Sequence, residues 1–425
     1  ILIRELMDLI DEARTIQEEI DSTFTYAYQC LQRANIENGI STVEQLAYTV
    51  PIENSITIQT RSIMGTEIPH VKYVPDAGKP TYSFNATWES IDMARDAFRK
   101  VKDLTVKLSM IENAAYRLAS NIKKENIINF GGNVNPLGLS EKVKKSIAEH
   151  VDLFSSYPDR EYTALRNVLS DYCDIPADYI LPGNGSSEMI SLLIETRAPK
   201  NTLILGPTYS EYSRELSFSG STQTYYHLRE ETDFELDVDE LCSVLLSSEK
   251  TVNYDFLIIC NPNNPTSSAI RRGEMERLLS FCQKHDIFVM IDETYVEFAP
   301  DINEITAVPF TKTYTNLMVL RGVSKFYAAP GMRFGYGITG NAEFLKAMKE
   351  KQIPWSLNSL GAFAGEQLFS DKDYFARTRD LILSEREKLF NELKELPAFK
   401  TYTPYANFLL VRIMKEGVTS FDVFE

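Results

Sequence analysis

NLMVLRGVSKFYAAPGMRFGYGI, residues 316–338, opens as a short apolar run and turns polar and glycine-rich at its end. Such a run, bounded by turn residues, reads as a buried strand. The polar residues behind it stand where an α/β sheet places its ligands, outside the carboxyl ends of the strands. Lys325 is the first basic residue after that strand. A partly buried lysine has its ammonium pKa lowered and becomes a nucleophile able to form a Schiff base. Arg333 follows eight residues later, beyond the Pro330-Gly331 turn, where it, like Ser324, is able to grip a phosphate.

Working outward, four more runs have the same build: DYILPGNGSSEMISLLI (178–194), NTLILGPTYSEY (201–212), YDFLIICNPNNPT (254–266) and DIFVMIDETYVEF (286–298). Helical patterns separate several of them, and this alternation predicts a three-layer α/β/α domain around a mostly parallel sheet. Each run ends in candidate chemistry. In GNGSSE (183–188) a helix begins after a strand, so the N–H groups around Gly185 and the hydroxyls of Ser186 and Ser187 would cradle a phosphate; an ordinary N-cap accounts for the same residues. In CNPNNPT (260–266), Asn264 stands in a proline-fixed turn and is placed to donate to a phenolate oxygen, although a plain Pro/Asn turn looks the same. Asp292 ends an apolar run, so its carboxylate is expected to be desolvated and to require a cation such as a protonated pyridine nitrogen. Tyr295, three residues on, would reach a ring hydroxyl.

The order NPNNPT, DET, then SK with an arginine eight residues later resembles the fold-type I pyridoxal-phosphate enzymes of aminotransferase class I/II, over residues 129–425. The resemblance implies pyridoxal 5′-phosphate as cofactor, held by Gly185, Ser186, Ser187, Tyr209, Asn264, Asp292, Tyr295, Ser324, Lys325 and Arg333, with Lys325, Asp292 and Tyr295 catalytic. Tyr209 in GPTYSEY would stack on the pyridine ring. Tyr157 in SSYPDREY would be given to the phosphate site of a neighbouring protomer, which implies a homodimer. Asn135 in GGNVNPLG and Asn358 in IPWSLNSLGAFAGE would line the substrate pocket. Within the superfamily the chain resembles histidinol-phosphate aminotransferases and threonine-phosphate decarboxylases. KFYAAPGMRFGY, IPWSLNSLGAFAGE and NVNPLG look more like the decarboxylases, but both activities start from the same cofactor-bound amine. We expect an aminotransferase acting on a small amino-acid phosphate or similar amine, with a decarboxylating lyase as the alternative. No metal site is expected.

Residues 1–124 follow other rules. Ile3, Leu6, Ile10, Ala13, Ile20, Phe24, Ala27 and Leu31 recur at helical spacing, as do Ile91, Ala94, Phe98, Val101, Leu104, Leu108, Ile111, Ala115, Leu118 and Ile122. Two such stripes predict a coiled-coil hairpin. The β-branched stretch 56–74 between them reads as strands punctuated by Gly65 and Pro69. TRSIMGTEIPHVKY (60–73), PTYSFNATWESIDMARDAFRKV (80–101) and RLASNIKK (117–124) resemble the central-stalk D subunit of the V-type ATP synthase. In that family the second helix runs on past NIKK, whereas here ENIINFGGNVNPLG follows, so the rotor helix has lost much of its partner strand. The resemblance itself gives a stalk-like protein with an inactive passenger as a further alternative, and the unpaired stripe implies a coiled-coil partner. The expected division is a hairpin over 1–124, a large domain over 125–350 with the start of a small domain near 129–155, and an incomplete α+β small domain over 351–425.

The first stripe is already under way at Ile1, so the helix is expected to begin upstream. Beyond FDVFE (421–425) the resemblance implies further small-domain residues, including an arginine that grips substrate, and turnover by the chain as it stands is expected to be impaired. The join at Lys124–Glu125 lacks a Gly/Ser/Pro linker and reads as chimeric. With 44% hydrophobic and 24% charged residues among 425, the composition is that of globular domains, two or three by length. A net charge of −16 argues against nucleic acid and anionic membrane as partners. Five dispersed cysteines without a CxxC pair favour a reduced, cytoplasmic setting, and no apolar run spans a membrane.

Overall fold

The computed structural model describes residues 12–23, 25–27, 54–63, 66–75, 89–120, 131–246, 253–420 and 423. Contacts divide the chain into two compact units, Phe130–Val418 and the remainder.

In the smaller unit, strands β1 (Asn54–Ile63) and β2 (Thr66–Pro75) form an antiparallel pair in continuous register from Ile63 opposite Thr66 to Asn54 opposite Pro75. Pro69 lies inside β2, opposite Thr60, and does not punctuate the strand as expected from sequence. In a two-stranded ribbon both strands are edges, so the missing proline N–H need not break a ladder. Helix α1 (Glu89–Ser120) packs on the helical residues 12–23 and 25–27. Their seam holds Ala13, Ile16 and Ile20 against Val101, Leu108 and Ile111, with Leu104 at its margin. Ion pairs Lys100–Glu19 (2.7 Å) and Lys107–Glu12 (3.1 Å) flank it, and their opposed numbering shows that the two helices run antiparallel. Ile16, Ala97 and Thr105 are buried without having been expected in the stripe. Ile3, Leu6, Ile10, Phe24, Leu31 and Ile122, and the side chains of Ile91, Ala94, Phe98, Ala115 and Leu118, fall outside what is described.

The larger unit continues with α2 (Glu141–Glu149), α3 (Thr163–Cys173), β3 (Ile180–Gly183), α4 (Gly185–Arg197), β4 (Asn201–Gly206), α5 (Glu211–Ser219), β5 (Thr222–His227), α6 (Val238–Leu246), β6 (Phe256–Cys260), α7 (Arg272–Lys284), β7 (Phe288–Asp292), β8 (Leu317–Gly322), β9 (Gly335–Ile338), α8 (Ala342–Lys351), α9 (Ser359–Ser370), α10 (Lys372–Lys394), β10 (Phe399–Thr401) and β11 (Val411–Ile413). Seven strands form one sheet in the order β3-β9-β8-β7-β6-β4-β5. Pairing is parallel from β5 to β8, and β9 runs antiparallel to both of its neighbours. Run 316–338 therefore holds two strands, where the sequence reads as one. β5, a polar TQTYYH segment at the sheet edge, is a strand the sequence reading passed over.

The central strands are buried on both faces because alternate side chains feed two cores. Leu203, Leu257, Ile259, Val289, Ile291, Leu317 and Val319 pack on one side against α3, α6, α7 and α9. Ile204, Ile258, Cys260, Met290, Met318 and Leu320 pack on the other against α4, α5 and α8. This is the expected three-layer architecture. α10 packs on the antiparallel pair β10–β11, which supplies the small α+β part. Among the described residues no helix is long and apolar enough to cross a membrane.

Within the first of these cores lies one charged cluster. Arg321 on β8 donates from Nη2 to Glu293 Oε2 at 2.7 Å and to Thr306 Oγ1 at 2.9 Å, with both ionic side chains at most 6% exposed. Glu297 stands 3.9 Å from Arg321 Nη1, and its Oε2 is buried without a partner. Burial pushes the Glu297 carboxyl above its ordinary range, against the opposing pull of Arg321.

Candidate active site

Because β9 alone is reversed, the carboxyl ends of β3, β4, β6, β7 and β8 and the start of β9 all open on one edge of the sheet. Every motif singled out along the 178–336 sequence issues from that edge.

At the end of β3 the chain passes through Asn184 into α4. The N-cap explanation of GNGSSE fails here, because the Asn184 side chain makes no capping bond. Instead the Asn184 backbone N–H donates to Glu188 Oε2 at 2.6 Å. Gly185, at φ +85°, is the residue that lets Arg333 approach: a Cβ built there would lie 2.6 Å from Arg333 Nη2. A Cβ on Gly335 would collide with the Ser186 backbone nitrogen. Two glycines thus bring a guanidinium and the first N–H groups of a thirteen-residue helix together. That is the donor set of a phosphate site. Ser186 is half-buried beside Gly322, while Ser187 is exposed. Ser324 and Lys325 are half-buried just past β8. Arg333 itself has φ +52° and is exposed.

Asp292, the last residue of β7, is 4% exposed. Its Oδ1 accepts from Thr294 N (2.9 Å) and Thr294 Oγ1 (2.6 Å), and Oδ2 accepts from Tyr212 OH at 2.7 Å. A carboxylate offers about four lone-pair positions, so one on Oδ2 is left for an N–H donor. Among the described residues no cation pairs with Asp292, as a site for a pyridinium requires. Tyr212, fully buried, and Thr294 were not foreseen; the signal for Thr294 is the Asp-x-Thr turn, and for Tyr212 its place one helical turn after Tyr209.

Tyr209 is 41% exposed and meets Tyr212 edge-on at 5.6 Å. Burial raises its phenol pKa, helped by Glu211 and Asp292 and opposed by Arg333, so its ring stands among these groups. Burial pushes Tyr295 up to about 12, against a hydrogen bond from Asn133, which leaves its hydroxyl protonated and able to donate. Asn264 is half-buried on a loop stapled by its neighbour: Asn263 donates to Pro207 O (2.9 Å) and accepts from Thr208 Oγ1 (3.0 Å), tying this turn to the one that carries Tyr209.

Lys325 donates from Nζ to Gly132 O at 2.8 Å, and burial lowers its pKa. Asn135, expected to line the substrate pocket, is instead 2% exposed, with its amide engaged behind the lysine loop. Asn358, expected there too, is exposed and caps α9, its Oδ1 accepting from Gly361 N at 2.7 Å. Tyr157 is 80% exposed and meets Trp355 in a tilted ring pair at 4.7 Å.

Residues 125–420 match the model of the family Aminotransferase class I and II. The chain belongs to that family. Its cofactor is pyridoxal 5′-phosphate, and the phosphate cradle, the open Oδ2 position and the half-buried lysine fit that molecule part by part. As a class I/II aminotransferase relative, the chain is 32% identical over 297 residues to the threonine-phosphate decarboxylase of Salmonella typhimurium, covering 70% of this chain and 79% of that protein. It is similar to the solved histidinol-phosphate aminotransferase of Clostridium acetobutylicum, with TM-score 0.64, 30% identity, and coverage of 70% of this chain and 85% of that one. It also shares its fold with the histidinol-phosphate aminotransferase of Sinorhizobium meliloti solved with pyridoxal 5′-phosphate, at TM-score 0.59 and 19% identity over 67% of this chain and 76% of that one. Residues 1–127 match a second model, that of the ATP synthase D subunit.

Proposed function

We propose that the Phe130–Val418 unit is an aminotransferase that moves an amino group between a small amino-acid phosphate, or a similar amine, and a 2-oxo acid. The observation that carries this reading is the convergence of Lys325, Asp292 and the Arg333–Gly185 cradle on one edge of the sheet. When bound, the cofactor supplies an electron sink for charge developing at the substrate Cα. Arg333 and the N–H groups at the start of α4 bind its phosphate. Asp292 would accept at Oδ2 and hold a proton on the ring nitrogen, while the donors from Thr294 and Tyr212 fix the carboxylate in place. Tyr295 and Asn264 donate to the ring oxygen and orient the ring against Tyr209. Lys325, its pKa lowered by burial, moves the proton at the substrate Cα.

A decarboxylating reading is favoured by the 32% identity to a threonine-phosphate decarboxylase, beside the segments KFYAAPGMRFGY, IPWSLNSLGAFAGE and NVNPLG. The same residues serve both, and the outcome turns on which Cα bond stands perpendicular to the ring. Incubating the chain with pyridoxal phosphate, phosphothreonine or histidinol phosphate, and a 2-oxo acid separates them. New amino acid without carbon dioxide supports transamination, and carbon dioxide release supports the lyase. A chain that develops no borohydride-sensitive visible band with the cofactor defeats both, and favours a stalk-like protein with an inactive passenger.

The proposal includes a homodimer in which Tyr157 serves the neighbour's phosphate site. Support comes from exposed Val151, Phe154, Tyr157, Ile353 and Trp355, apolar side chains within and beside the 150–157 segment and α9. An apolar patch of that kind on a soluble domain marks an interface. Light scattering that finds only monomer, with cofactor affinity unchanged in Tyr157→Phe, removes it. A reduced, cytoplasmic setting remains part of the proposal, as does a coiled-coil partner for residues 1–124.

A further inference from the structure

We propose that Asn135 is a positioning residue for Lys325, fixing from behind the backbone on which the amine is carried. This deepens the reading of Lys325 as the cofactor-bearing lysine and rests on it.

The Asn135 backbone N–H donates to Lys325 O at 3.0 Å. Its side-chain Nδ2 donates to Phe326 O at 2.8 Å, so one residue grips two consecutive carbonyls of the lysine loop. The same Nδ2 faces Tyr374 OH (2.8 Å) and Thr378 Oγ1 (3.0 Å) on α10, and Oδ1 accepts from Leu137 N at 3.0 Å. Tyr374 OH donates onward to Gly138 O at 2.6 Å, which closes a ring of bonds around the amide. Two amide hydrogens serve three acceptors, so the carboxamide has no free donor to offer a ligand. At 2% exposure it is walled off from the sheet edge.

A buried amide that merely fills space would not select these partners. Lys325 and Phe326 lie in the segment between β8 and β9, outside any ladder, where loops are the least constrained part of a fold. Asn135 ties that loop to α10 on one side and to the 131–138 turn on the other. The turn in turn supplies Gly132 O, which receives Lys325 Nζ at 2.8 Å. Backbone and amine are thus held by one short segment. Misplacing a reacting group by a small distance is enough to reduce a rate severely.

The test uses the full chain without added cofactor. Trace acetylation with acetic anhydride across a pH series, read lysine by lysine by mass spectrometry, gives the titration midpoint of Lys325. Burial lowers that midpoint below the ordinary 10.5. In Asn135→Ala the loop is released and the midpoint rises toward 10.5. Tyr374→Phe, which removes the hydroxyl that Asn135 faces and keeps the ring against Tyr327 of the loop, moves it less in the same direction, and decides the matter if Asn135→Ala does not fold. An unchanged midpoint in folded variants overturns the proposal. With pyridoxal phosphate, band formation slows roughly tenfold or more in Asn135→Ala, while affinity for pyridoxine phosphate, which lacks the aldehyde, is retained. Equal loss of both overturns positioning in favour of general damage to the pocket. A parent chain that forms no band refutes the cofactor reading and leaves the midpoints to judge Asn135.

Discussion

In the helical pair, Lys100–Glu19 has both side chains about half open to water, at 56% and 44% exposure, whereas in the sheet Arg321–Glu293 lies at 6% and 0%. The two regions bury apolar surface under different constraints. A helix commits one stripe to its partner and leaves its other faces solvated, so charges flank the seam at little cost. A central strand of the parallel sheet is covered on both faces, so any polar group there must be matched or exposed at the strand end. Function follows the second geometry. Asp292, Lys325 and the Arg333 cradle stand at strand ends, where side chains leave the dry interior and still keep its support.

The largest effect is expected at Lys325. Lys325→Ala should abolish the visible band with pyridoxal phosphate and reduce turnover on the order of a thousandfold or more, with the far-ultraviolet spectrum unchanged; a borohydride-sensitive band in the variant would refute its role. Next is Arg321→Met, which strands Glu293 in the core and should destabilise the larger unit by about 3–5 kcal/mol in urea unfolding. A loss below about 1 kcal/mol would show that the pair is not buried as described.

A smaller effect depends on pH. The folded Glu297 carboxyl titrates above its ordinary 4.5 because it is buried, so the folded state retains a proton that the unfolded chain has released. Stability from this group is therefore present at low pH and is lost as pH rises from 4.5 through the folded value. Glu297→Gln should flatten that decline, measured as urea midpoints between about pH 4 and pH 8; a parallel curve would contradict it. The smallest effect belongs to the seam. Lys100→Gln should change stability by about 0.5 kcal/mol or less, and a loss rivalling Arg321→Met would erase the contrast between the regions.

Much of the larger unit was legible because strand ends carry local signals. A lysine after an apolar run, an aspartate closing another and glycines before a helix can each be read within a few residues. Less legible were features set by distance in the chain. β5 escaped because an edge strand needs few apolar residues, and β9 because the Pro330-Gly331 turn ahead of it does not by itself announce a second strand in reversed direction. Tyr212 reaches Asp292 across 80 residues and Asn135 reaches Phe326 across 191, so no spacing announces either bond. Asn135, expected in the substrate pocket, has its amide engaged behind the lysine loop, since a motif names a residue and not the direction its side chain faces. In the seam, Ile16 and Ala97 were overlooked because helical periodicity fixes a face more sharply than its margins.

Asp292 closes β7 and Glu293 follows it, and the two side chains take opposite faces: Asp292 toward Tyr212 in one core, Glu293 toward Arg321 in the other. Two consecutive carboxylates therefore meet different fates. One is neutralised permanently by the chain's own guanidinium. The other keeps an open acceptor position facing the site, so folding assembles only half of an ion pair there. On the proposed reading, a ligand bringing the missing cation would complete the electrostatics of the sheet edge, and the cofactor would serve as a structural counterion as well as a reagent.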